Sequence, residues 1–464
     1  MMKNRSQKPE VRSRNWGTSG RRASLLFRLL ASGFWLLASS SWLLASSSWL
    51  LASGFWLLPQ TPSLDSVSPK ERQAAVEKMA VLGNRDAIPK LADALKKETK
   101  SDLRATMVAA LGRIREREAI PVLADALRTD LDKDVRSQAI DSLLRIYIPI
   151  EDTGPLRTIF DRVKSVFLLP NPPAISGEVQ VDTSAKEVLA AAMQKDFSDE
   201  VRVDAARALG SLKANDQVPT LIATLQDPQN REHGNVRLET VRSLGVIRDP
   251  AAGPALERAL RDPNRKVVEE AILGVGLVGH TPARPLLEEL FRTDRNGVIK
   301  SRSLESLALM RDKGSIPLFE SLLGSSDDHY REIAAEGLAR LDYNAATWKD
   351  RFDQEQKPNV RNALAFGLAS SGELNYINNL ANALDSRQGY QVEVYLYELG
   401  KFDGKLDELH RYLRSSNPKV RAGMARVLGN IGDPASTDQV RPLTEDSDVA
   451  VVREAVAALR KLNK

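Results

Sequence analysis

The chain has 464 residues, enough for two or three ordinary domains or one long array, and a formal net charge of +5. Residues 1–28 hold eight basic side chains and one acid, so the rest of the chain is close to neutral and has no global field to attract a polyanion. Cysteine is absent, which excludes disulfides, thiolate metal sites and cysteine nucleophiles.

A hydrophobic heptad repeat follows a basic tail at residues 1–22. Residues 27–61 form five heptads of the type Phe-Trp-Leu-Leu-Ala-Ser-Gly, and the stretch from Leu29 to Leu58 carries no charge. As a helix, at about 1.5 Å per residue, this stretch is longer than the roughly 30 Å hydrocarbon core of a bilayer. We therefore predict a signal or anchor segment at 23–58 and a linker at 59–67.

The basic residues before this segment favour a cytoplasmic N terminus and an exported C-terminal part. An uncleaved anchor in the cell envelope fits the length of the segment best. A cleaved signal peptide, which would leave the protein secreted or periplasmic, is the alternative, since Ala52-Ser53-Gly54 offers small residues for cleavage. A soluble or wrongly assigned N terminus is the third possibility.

A second repeat, of about thirty residues, runs through most of the chain. Its clearest copy begins at Val420-Arg421, continues to Leu428-Gly429 and ends in a turn at Asp433-Pro434. Equivalents of Leu428 recur at intervals of 29 to 35 residues, at Leu209, Leu244, Val275, Leu307, Leu338, Leu368, Leu399, Leu428 and Leu459. Such a period predicts stacked units rather than a globular domain with a single cleft.

Each unit is predicted to be a helix hairpin. From Val236 to Asp262, apolar residues follow helical spacing on both sides of a break at 250–254. Asp before Pro, at 249–250 and 433–434, suits an N-cap with Pro at the first helical position. The Gly after the repeated Leu is expected to let helices approach closely, at Gly112, Gly210, Gly245, Gly276, Gly400 and Gly429. One hairpin alone cannot offset the entropy of ordering it, so stability must come from stacking.

These residues resemble HEAT repeats, in particular the short PBS-lyase HEAT-like class. The resemblance rests on Asp199-Glu200-Val201-Arg202 with Ala208-Leu209-Gly210 and on the copy at 420–435, and it covers roughly residues 68–464. It implies an all-α, right-handed solenoid of about eleven to twelve stacked helix hairpins. It says little about function, because the class includes lyases, hydroxylases, scaffolds and adaptors.

Two departures interrupt the array. A first block of repeats, 68–166, is followed by a Pro-rich stretch and by Glu178-Val179-Gln180-Val181, which alternates like a short strand. We predict a loop at 167–184 that divides the array into two stacks, either as a plain spacer or with a function of its own. The second block, 185–464, closes with a half-repeat from Val451 to Leu462, where Lys461 and Lys464 give a polar end suited to a cap.

No catalytic constellation stands out. The resemblance includes hydroxylases of the deoxyhypusine type, which bind iron through repeated His-Glu pairs, but none of His233, His280, His329 and His410 is followed by Glu. Nothing beyond the shared repeat marks a tetrapyrrole site. We therefore expect no cofactor, no metal and no enzymatic activity; a lyase- or hydroxylase-type enzyme, or an accessory subunit of one, is the alternative.

Two features are candidates for a binding surface. Repeated arginines resemble a basic ladder for nucleic acid, but the repeated Asp residues beside them favour a structural ladder and no nucleic-acid partner: Arg136, Arg202, Arg237, Arg361 and Arg421. Tyrosines cluster at 390–412, and Tyr395 and Tyr397, two residues apart, cannot both face one core. Exposed Tyr commonly anchors protein interfaces, although core packing is the default. The candidate partner-binding residues are Tyr390, Tyr395, Tyr397, Tyr412 and Trp348.

The sequence thus predicts a non-catalytic scaffold for protein–protein interaction, held at the membrane by its N-terminal segment. Its partner, a protein or a peptide, is expected on the concave face of the solenoid.

Overall fold

The computed structural model describes residues 62–148, 180–341 and 343–463. Within these ranges the chain forms α-helices and short 3-10 turns, and no strand. The predicted basic tail, the hydrophobic segment at 23–58 and most of the loop at 167–184 lie outside the described residues. Among the described helices, none is long and apolar enough to cross a membrane.

The helices have the following bounds: α1 Pro69–Leu82, α2 Ala87–Lys97, α3 Ser101–Ile114, α4 Ile120–Thr129, α5 Lys133–Tyr147, α6 Thr183–Lys195, α7 Asp199–Ser211, α8 Val218–Gln226, α9 Gly234–Ile247, α10 Gly253–Ala259, α11 Arg265–Leu277, α12 Arg284–Thr293, α13 Gly297–Met310, α14 Ile316–Leu322, α15 Asp328–Ala339, α16 Lys349–Gln354, α17 Pro358–Ser370, α18 Asn375–Ala383, α19 Gly389–Lys401, α20 Leu406–His410, α21 Pro418–Ile431, α22 Thr437–Val440 and α23 Val449–Leu462.

Each odd-numbered helix forms a hairpin with the even-numbered helix that follows it, and α23 ends the described array without a partner helix. Odd helices pack on the odd helices before and after them, whereas even helices pack mainly on odd ones. The array therefore has two layers, and the layer of odd helices, which pack on one another, is called the inner layer below. The predicted all-α stack of about eleven to twelve hairpins, closed by a half-repeat, is confirmed for the described residues.

Caps and turns follow the sequence pattern. Asp249 and Asp433 each accept a hydrogen bond from the backbone N–H two residues later, at 2.9 Å. Both residues cap a 3-10 turn that begins with Pro and leads into the second helix of the hairpin. The predicted Asp-Pro caps are confirmed, since Pro has no N–H to leave unpaired in the first turn.

Small residues at two repeat positions let the odd helices touch. A Cβ added to Gly429 would lie 2.7 Å from the Cα of Ala458 in the next odd helix. In the same way Gly112, Gly210 and Gly276 face Ser142, Ser243 and Ser306. Each of these serines donates its hydroxyl to a backbone carbonyl of the preceding odd helix. The close approach predicted from the repeated Gly is therefore confirmed at these positions.

Replacing Gly429 by Ala is expected to lower the free energy of unfolding by about 1–3 kcal/mol, because the new methyl group would displace the backbone of α23. This loss should outweigh the roughly 1 kcal/mol by which Ala favours a helix over Gly. Urea unfolding followed by circular dichroism measures the change. Gly297→Ala is the control, since nothing lies within 4 Å of a Cβ there; equal stabilities of the two variants would contradict the packing argument.

Residues 149–179 interrupt a hairpin rather than the array. In α3, Arg104 binds Asp130 at the end of the same hairpin, 26 residues later, with Nε 2.7 Å from Oδ2. In α5, Arg136 makes the same bond to Asp196, 60 residues later and directly after α6. Helices α5 and α6 are thus the two halves of one hairpin. Helix α5 packs on α3 and α7, and helix α6 packs on α4 and α8.

The predicted loop boundary therefore shifts. Helix α6 begins at Thr183, inside the predicted 167–184 loop, and Gln180 and Val181 are not in a strand. The remaining residues of that loop lie outside the described ranges, so its role as a spacer stays a prediction. The sequence pattern did not reveal that α5 and α6 form one hairpin. When a long insertion separates the two helices of a hairpin, the repeat pattern appears to end at the first helix.

Candidate functional site

The repeated arginines bind the turns between the hairpins. Arg136 donates from Nε and Nη2 to both carboxylate oxygens of Asp196, at 2.7 and 2.8 Å, and from Nη1 to the carbonyl oxygen of Asp130 at 2.9 Å. Arg237 binds Asp262 and Arg421 binds Asp446 in the same way.

Two of the repeated arginines use backbone or amide acceptors instead of a carboxylate. Arg361 donates to the carbonyl oxygen of Phe352 at 2.7 Å. Arg202 donates to the carbonyl oxygen of Met193 at 3.0 Å and to the side chain of Asn230. The predicted structural ladder is confirmed for all five arginines, because their donors are bound within the protein. The hydrogen bond from Arg421 also lowers the pKa of Asp446 from its ordinary value.

Charged side chains of neighbouring odd helices pair on the inner layer. Arg242 of α9 donates to Glu239 at 2.9 Å and to Glu270 of α11 at 3.0 Å. Arg426 of α21 bridges Glu393 of α19 and Glu454 of α23. These acids and bases balance each other across adjacent hairpins, so they fix the stack rather than present one sign of charge to a ligand.

A buried charged cluster joins hairpins that are not neighbours in sequence. We call it the interior cluster; it consists of Arg311, Glu336, Arg340, Phe366, Tyr395 and Glu398. Arg340, directly after α15, has a side chain that is 4% exposed, and it donates to Glu336 at 3.0 Å and to Glu398 of α19 at 2.9 Å. Arg311, directly after α13, donates to the same Glu398 at 3.1 Å. These bonds tie α19 to the ends of α13 and α15.

Glu336 of the interior cluster also binds Tyr395, one of the predicted partner-binding residues. Its Oε1 accepts a hydrogen bond from the Tyr395 hydroxyl and one from Gln391 at 2.9 Å. The Tyr395 ring stacks on Phe366, with centroids 4.8 Å apart and an interplanar angle of 8°. Burial raises the pKa of the Tyr395 hydroxyl far above its ordinary value, and the nearby carboxylates add to this effect. This tyrosine is therefore a neutral hydrogen-bond donor in the core.

Three of the five predicted partner-binding residues lie in the core. Tyr395 is 0%, Tyr397 2% and Trp348 3% exposed. The expectation that Tyr395 or Tyr397 faces outward is corrected, since α19 is buried on all sides from Val392 to Gly400. Tyr397 packs edge-on against Phe402, and Trp348 fills the space that Gly367 leaves open. In their present positions these three side chains offer no contact surface to a partner.

Tyr390 and Tyr412 are half-buried. Burial, together with the smaller effect of the nearby Glu393 carboxylate, raises the pKa of Tyr390 to about 12. The Tyr390 hydroxyl is buried without a hydrogen-bond partner among the described residues. Tyr412 packs against the core. Their role in binding a partner stays a prediction, and the structure does not gather the five residues into one patch.

Each histidine lies beside a group from another part of the array, not beside a second histidine. His233 is 2.7 Å from Asp199, His280 is 2.8 Å from Glu257, and His410 is 2.9 Å from the Ser436 hydroxyl. His329 lies between Glu305 and Glu332. Among residues 62–148, 180–341 and 343–463, no group of three or more His, Asp or Glu side chains has a geometry that could hold a metal ion.

His329 is expected to stay protonated well above neutral pH. Glu305 and Glu332, 3.6 and 3.7 Å from its ring nitrogens, raise the pKa of His329 to about 10 against the opposing effect of partial burial. Because the folded pKa is above the unfolded value of about 6.5, this stabilisation is complete below pH 6.5 and is lost as the pH rises towards 10. NMR titration of the ring should show no transition between pH 6 and 8.

Glu305→Gln should move the His329 transition to lower pH, and His410, whose pKa is lowered by burial, serves as the internal control. An His329 transition near pH 6.5 in the unmodified protein would contradict the pairing.

An open hollow of about 250 Å³ lies on the inner layer of the first three hairpins. Its polar lining comes from Gln73 and Glu77 of α1, Thr106 and Arg113 of α3, and Gln138 of α5. Alanines, among them Ala105 and Ala109, form the rest of the wall and leave the space open. Sequence reasoning missed this site, because its residues form no motif and become neighbours only when three odd helices stack.

A comparison with family models identifies the repeat. The family model described as HEAT repeats matches residues 61–144, 187–271, 229–308 and 406–464, together more than half of the chain. No curated protein sequence matches significantly.

Solved structures with some likeness are Escherichia coli YibA, an engineered protein, and human deoxyhypusine hydroxylase in complex with glycerol. YibA is 18% identical, with a TM-score of 0.40 over 66% of this chain and 99% of YibA. The engineered protein is 19% identical, with a TM-score of 0.31 over 86% and 97%. The hydroxylase is 16% identical, with a TM-score of 0.26 over 75% and 96%. Likenesses this weak carry no conclusion about function.

Proposed function

Because this chain belongs to the HEAT repeat family, whose repeats commonly mediate protein–protein interaction, we propose that it is a non-catalytic scaffold that binds a protein or a peptide. The observation that carries the proposal is the hollow on the inner layer of the first three hairpins. Its volume of about 250 Å³ is below the roughly 300–1,000 Å³ of typical small-molecule sites. A single side chain of a partner fits such a space.

The chemistry of the hollow suits a peptide. The side-chain oxygens of Gln73, Thr106 and Gln138 can accept hydrogen bonds from the N–H groups of a bound backbone. Their own donors already bind Glu77, the carbonyl oxygen of Asp102 and the Ser142 hydroxyl. Glu77 and Arg113 supply one charge of each sign. The charged side chains of the interior cluster are bound to one another beside α19, so we assign the partner to the first hairpins instead.

Site-specific photo-crosslinking tests the binding surface. A photoreactive residue at Thr106 or Gln138 should capture the partner, whereas one at the exposed Arg128 of α4, in the even layer, should not. Ala109→Phe, which fills the hollow, should reduce capture from position 138 at least about tenfold while leaving the helical circular dichroism unchanged. Capture from Arg128 alone would move the site to the even layer. A chromophore or metal in the purified protein would overturn the non-catalytic role.

We further propose that the protein resides at the cell envelope, with residues 23–58 as an uncleaved anchor and the solenoid exported. The support is the uncharged stretch from Leu29 to Leu58 and the basic tail before it. Detergent extraction followed by N-terminal sequencing of the mature protein tests this. A mature chain that begins near residue 55 and is released without detergent would favour the secreted or periplasmic form instead.

A further inference from the structure

The polar side chains of the hollow are unevenly distributed along its three helices. Thr106 and Gln138 each follow the repeated arginine of their helix by two residues, so they occupy equivalent positions in α3 and α5, which pack together. Gln73 follows the corresponding arginine of α1 by one residue, at nearly the same level. Arg113 lies seven residues after Thr106, about 10 Å further along α3 at 1.5 Å per residue. The neutral polar side chains therefore lie at one end of the hollow and Arg113 lies at the other.

The end opposite Arg113 offers hydrogen-bond acceptors. We call it the acceptor end; it consists of Gln73, Glu77, Thr106 and Gln138. Gln73 donates from Nε2 to Oε1 of Glu77 at 2.9 Å, and Thr106 donates its hydroxyl to a backbone carbonyl of its own helix at 2.8 Å. The amide nitrogen of Gln138 is turned to the Ser142 hydroxyl, at 3.5 Å. The three side-chain oxygens and Oε2 of Glu77 thus remain to accept hydrogen bonds from an occupant.

The acceptor end also carries the negative charge of the hollow. Glu77 is exposed, and the hydrogen bond from Gln73, one turn earlier in α1, holds its carboxylate at this end. Among the residues that the structure describes, neither Glu77 nor Arg113 forms an ion pair. The carboxylate of Glu77 is therefore available to a positive charge from outside the chain.

The rest of the wall is apolar. It is lined by the side chains of Val76, Ala80, Ala105, Ala109 and Ala110. A lysine side chain suits such a wall, because its four methylene groups pack along apolar surface while its ammonium group stays in polar surroundings. The ammonium group has three donors and no acceptor, which matches an end that offers oxygens.

Other charged side chains match the hollow less closely. A carboxylate only accepts hydrogen bonds, so at the acceptor end it would face oxygens, with Arg113 about 10 Å further along α3. A guanidinium group pairs best with both oxygens of one carboxylate, but Oε1 of Glu77 is already bound by Gln73. The hollow therefore favours an ammonium group over both alternatives.

We propose that the partner inserts a lysine side chain into the hollow, with its ammonium group bound by Glu77 and by the side-chain oxygens of Gln73, Thr106 and Gln138. The inference rests on the proposed function, and it names the residue of the partner that fills the hollow. Binding is then set by one positive charge at α1 and by the apolar wall behind it.

Peptides from a random library, selected on the full chain in detergent and counter-selected on Ala109→Phe, test the proposal. The selected peptides should share a lysine. Replacing it by norleucine, which keeps the four carbons and removes the charge, should raise the Kd about tenfold, and replacing it by arginine should also raise the Kd.

Variants of the protein locate the charge that the peptide binds. Glu77→Gln should raise the Kd of the lysine peptide roughly threefold to fivefold and leave that of the norleucine peptide unchanged. Asp93→Asn, which removes an exposed carboxylate from α2 in the even layer, is the matched control and should have no effect. Arg113→Gln should not weaken binding. Since Glu77 is exposed, its replacement should not unfold the protein, which circular dichroism checks.

The outcomes separate the lysine from the hollow itself. If the selected peptides bind through an acidic residue, so that Arg113→Gln weakens them and Glu77→Gln does not, the hollow is the binding site and the lysine assignment is wrong. Equal effects of Asp93→Asn and Glu77→Gln would also contradict the assignment, because they would show a general attraction. If no peptide binds, or if Ala109→Phe binds every peptide as well as the unmodified protein does, the hollow is not a peptide site and the proposed function fails with it.

Discussion

Replacing Arg340 by methionine is expected to lower the free energy of unfolding by about 3–5 kcal/mol. The guanidinium group of Arg340 is buried and binds Glu336 and Glu398 at 3.0 and 2.9 Å. Burial alone would lower the pKa of Arg340, but these two carboxylates raise it above its ordinary value, so the side chain is charged. Its removal leaves two buried carboxylates with Arg311 as the remaining cation of the cluster. Urea unfolding measures the loss.

Two comparisons isolate this effect. Arg453→Met removes an arginine whose side chain is 74% exposed and pairs with Glu454, and it should change stability by less than about 0.5 kcal/mol. Adding Glu398→Gln to Arg340→Met should recover part of the loss, because one uncompensated buried charge is removed. A loss for Arg340→Met no larger than that for Arg453→Met would show that the interior cluster does not hold the array closed.

Replacing Tyr395 by alanine is expected to cost about 3–5 kcal/mol of stability, the range for deleting a large buried aromatic side chain. The ring is 0% exposed and stacks on Phe366, and its hydroxyl donates to Glu336. The substitution therefore opens a cavity and removes one donor from a buried carboxylate. Thermal and urea unfolding both measure the change.

Tyr395→Phe is the matched control, because it keeps the ring and removes only the hydroxyl. A loss of about 1–2 kcal/mol is expected, since Gln391 and Arg340 still donate to Glu336. If Tyr395 anchored a partner, Tyr395→Ala would abolish partner capture and leave stability unchanged. That result would restore the binding role predicted from the tyrosine cluster and contradict the packing described here.

The hairpins, the helix contacts and the arginine ladder were predictable because the residues that form them recur in each repeat. The thirty-residue period predicted the hairpins, and the Gly after the repeated Leu predicted the contact between Gly429 and Ala458. The Arg and Asp positions predicted the ladder, as the bond from Arg136 to Asp196 shows. In each case the interacting groups recur at fixed spacing, so one copy of the pattern implies the rest.

The burial of the tyrosine cluster could not be predicted from the repeat pattern. Tyr395 and Tyr397 lie on different faces of α19, and the rule that a helix buries one face suggested that one of them is exposed. In the structure α19 is covered on the other faces as well, and residues at the ends of α13 and α15 bind it through Glu398. The bond from Arg340 to Glu398 spans 58 residues and skips a whole hairpin. No periodic pattern encodes such a contact.

The sequence by itself determined the repeat family, the two-helix unit and the contacts between adjacent units, since these depend on residues at fixed short spacing. Only the tertiary structure decided that α5 and α6 belong to one hairpin, that the tyrosines are core residues, and that a hollow opens across α1, α3 and α5. The physical reason is that the relative placement of distant hairpins is the sum of many small rotations between neighbours, which no single repeat specifies. Which distant side chains meet therefore cannot be read from the pattern of one repeat.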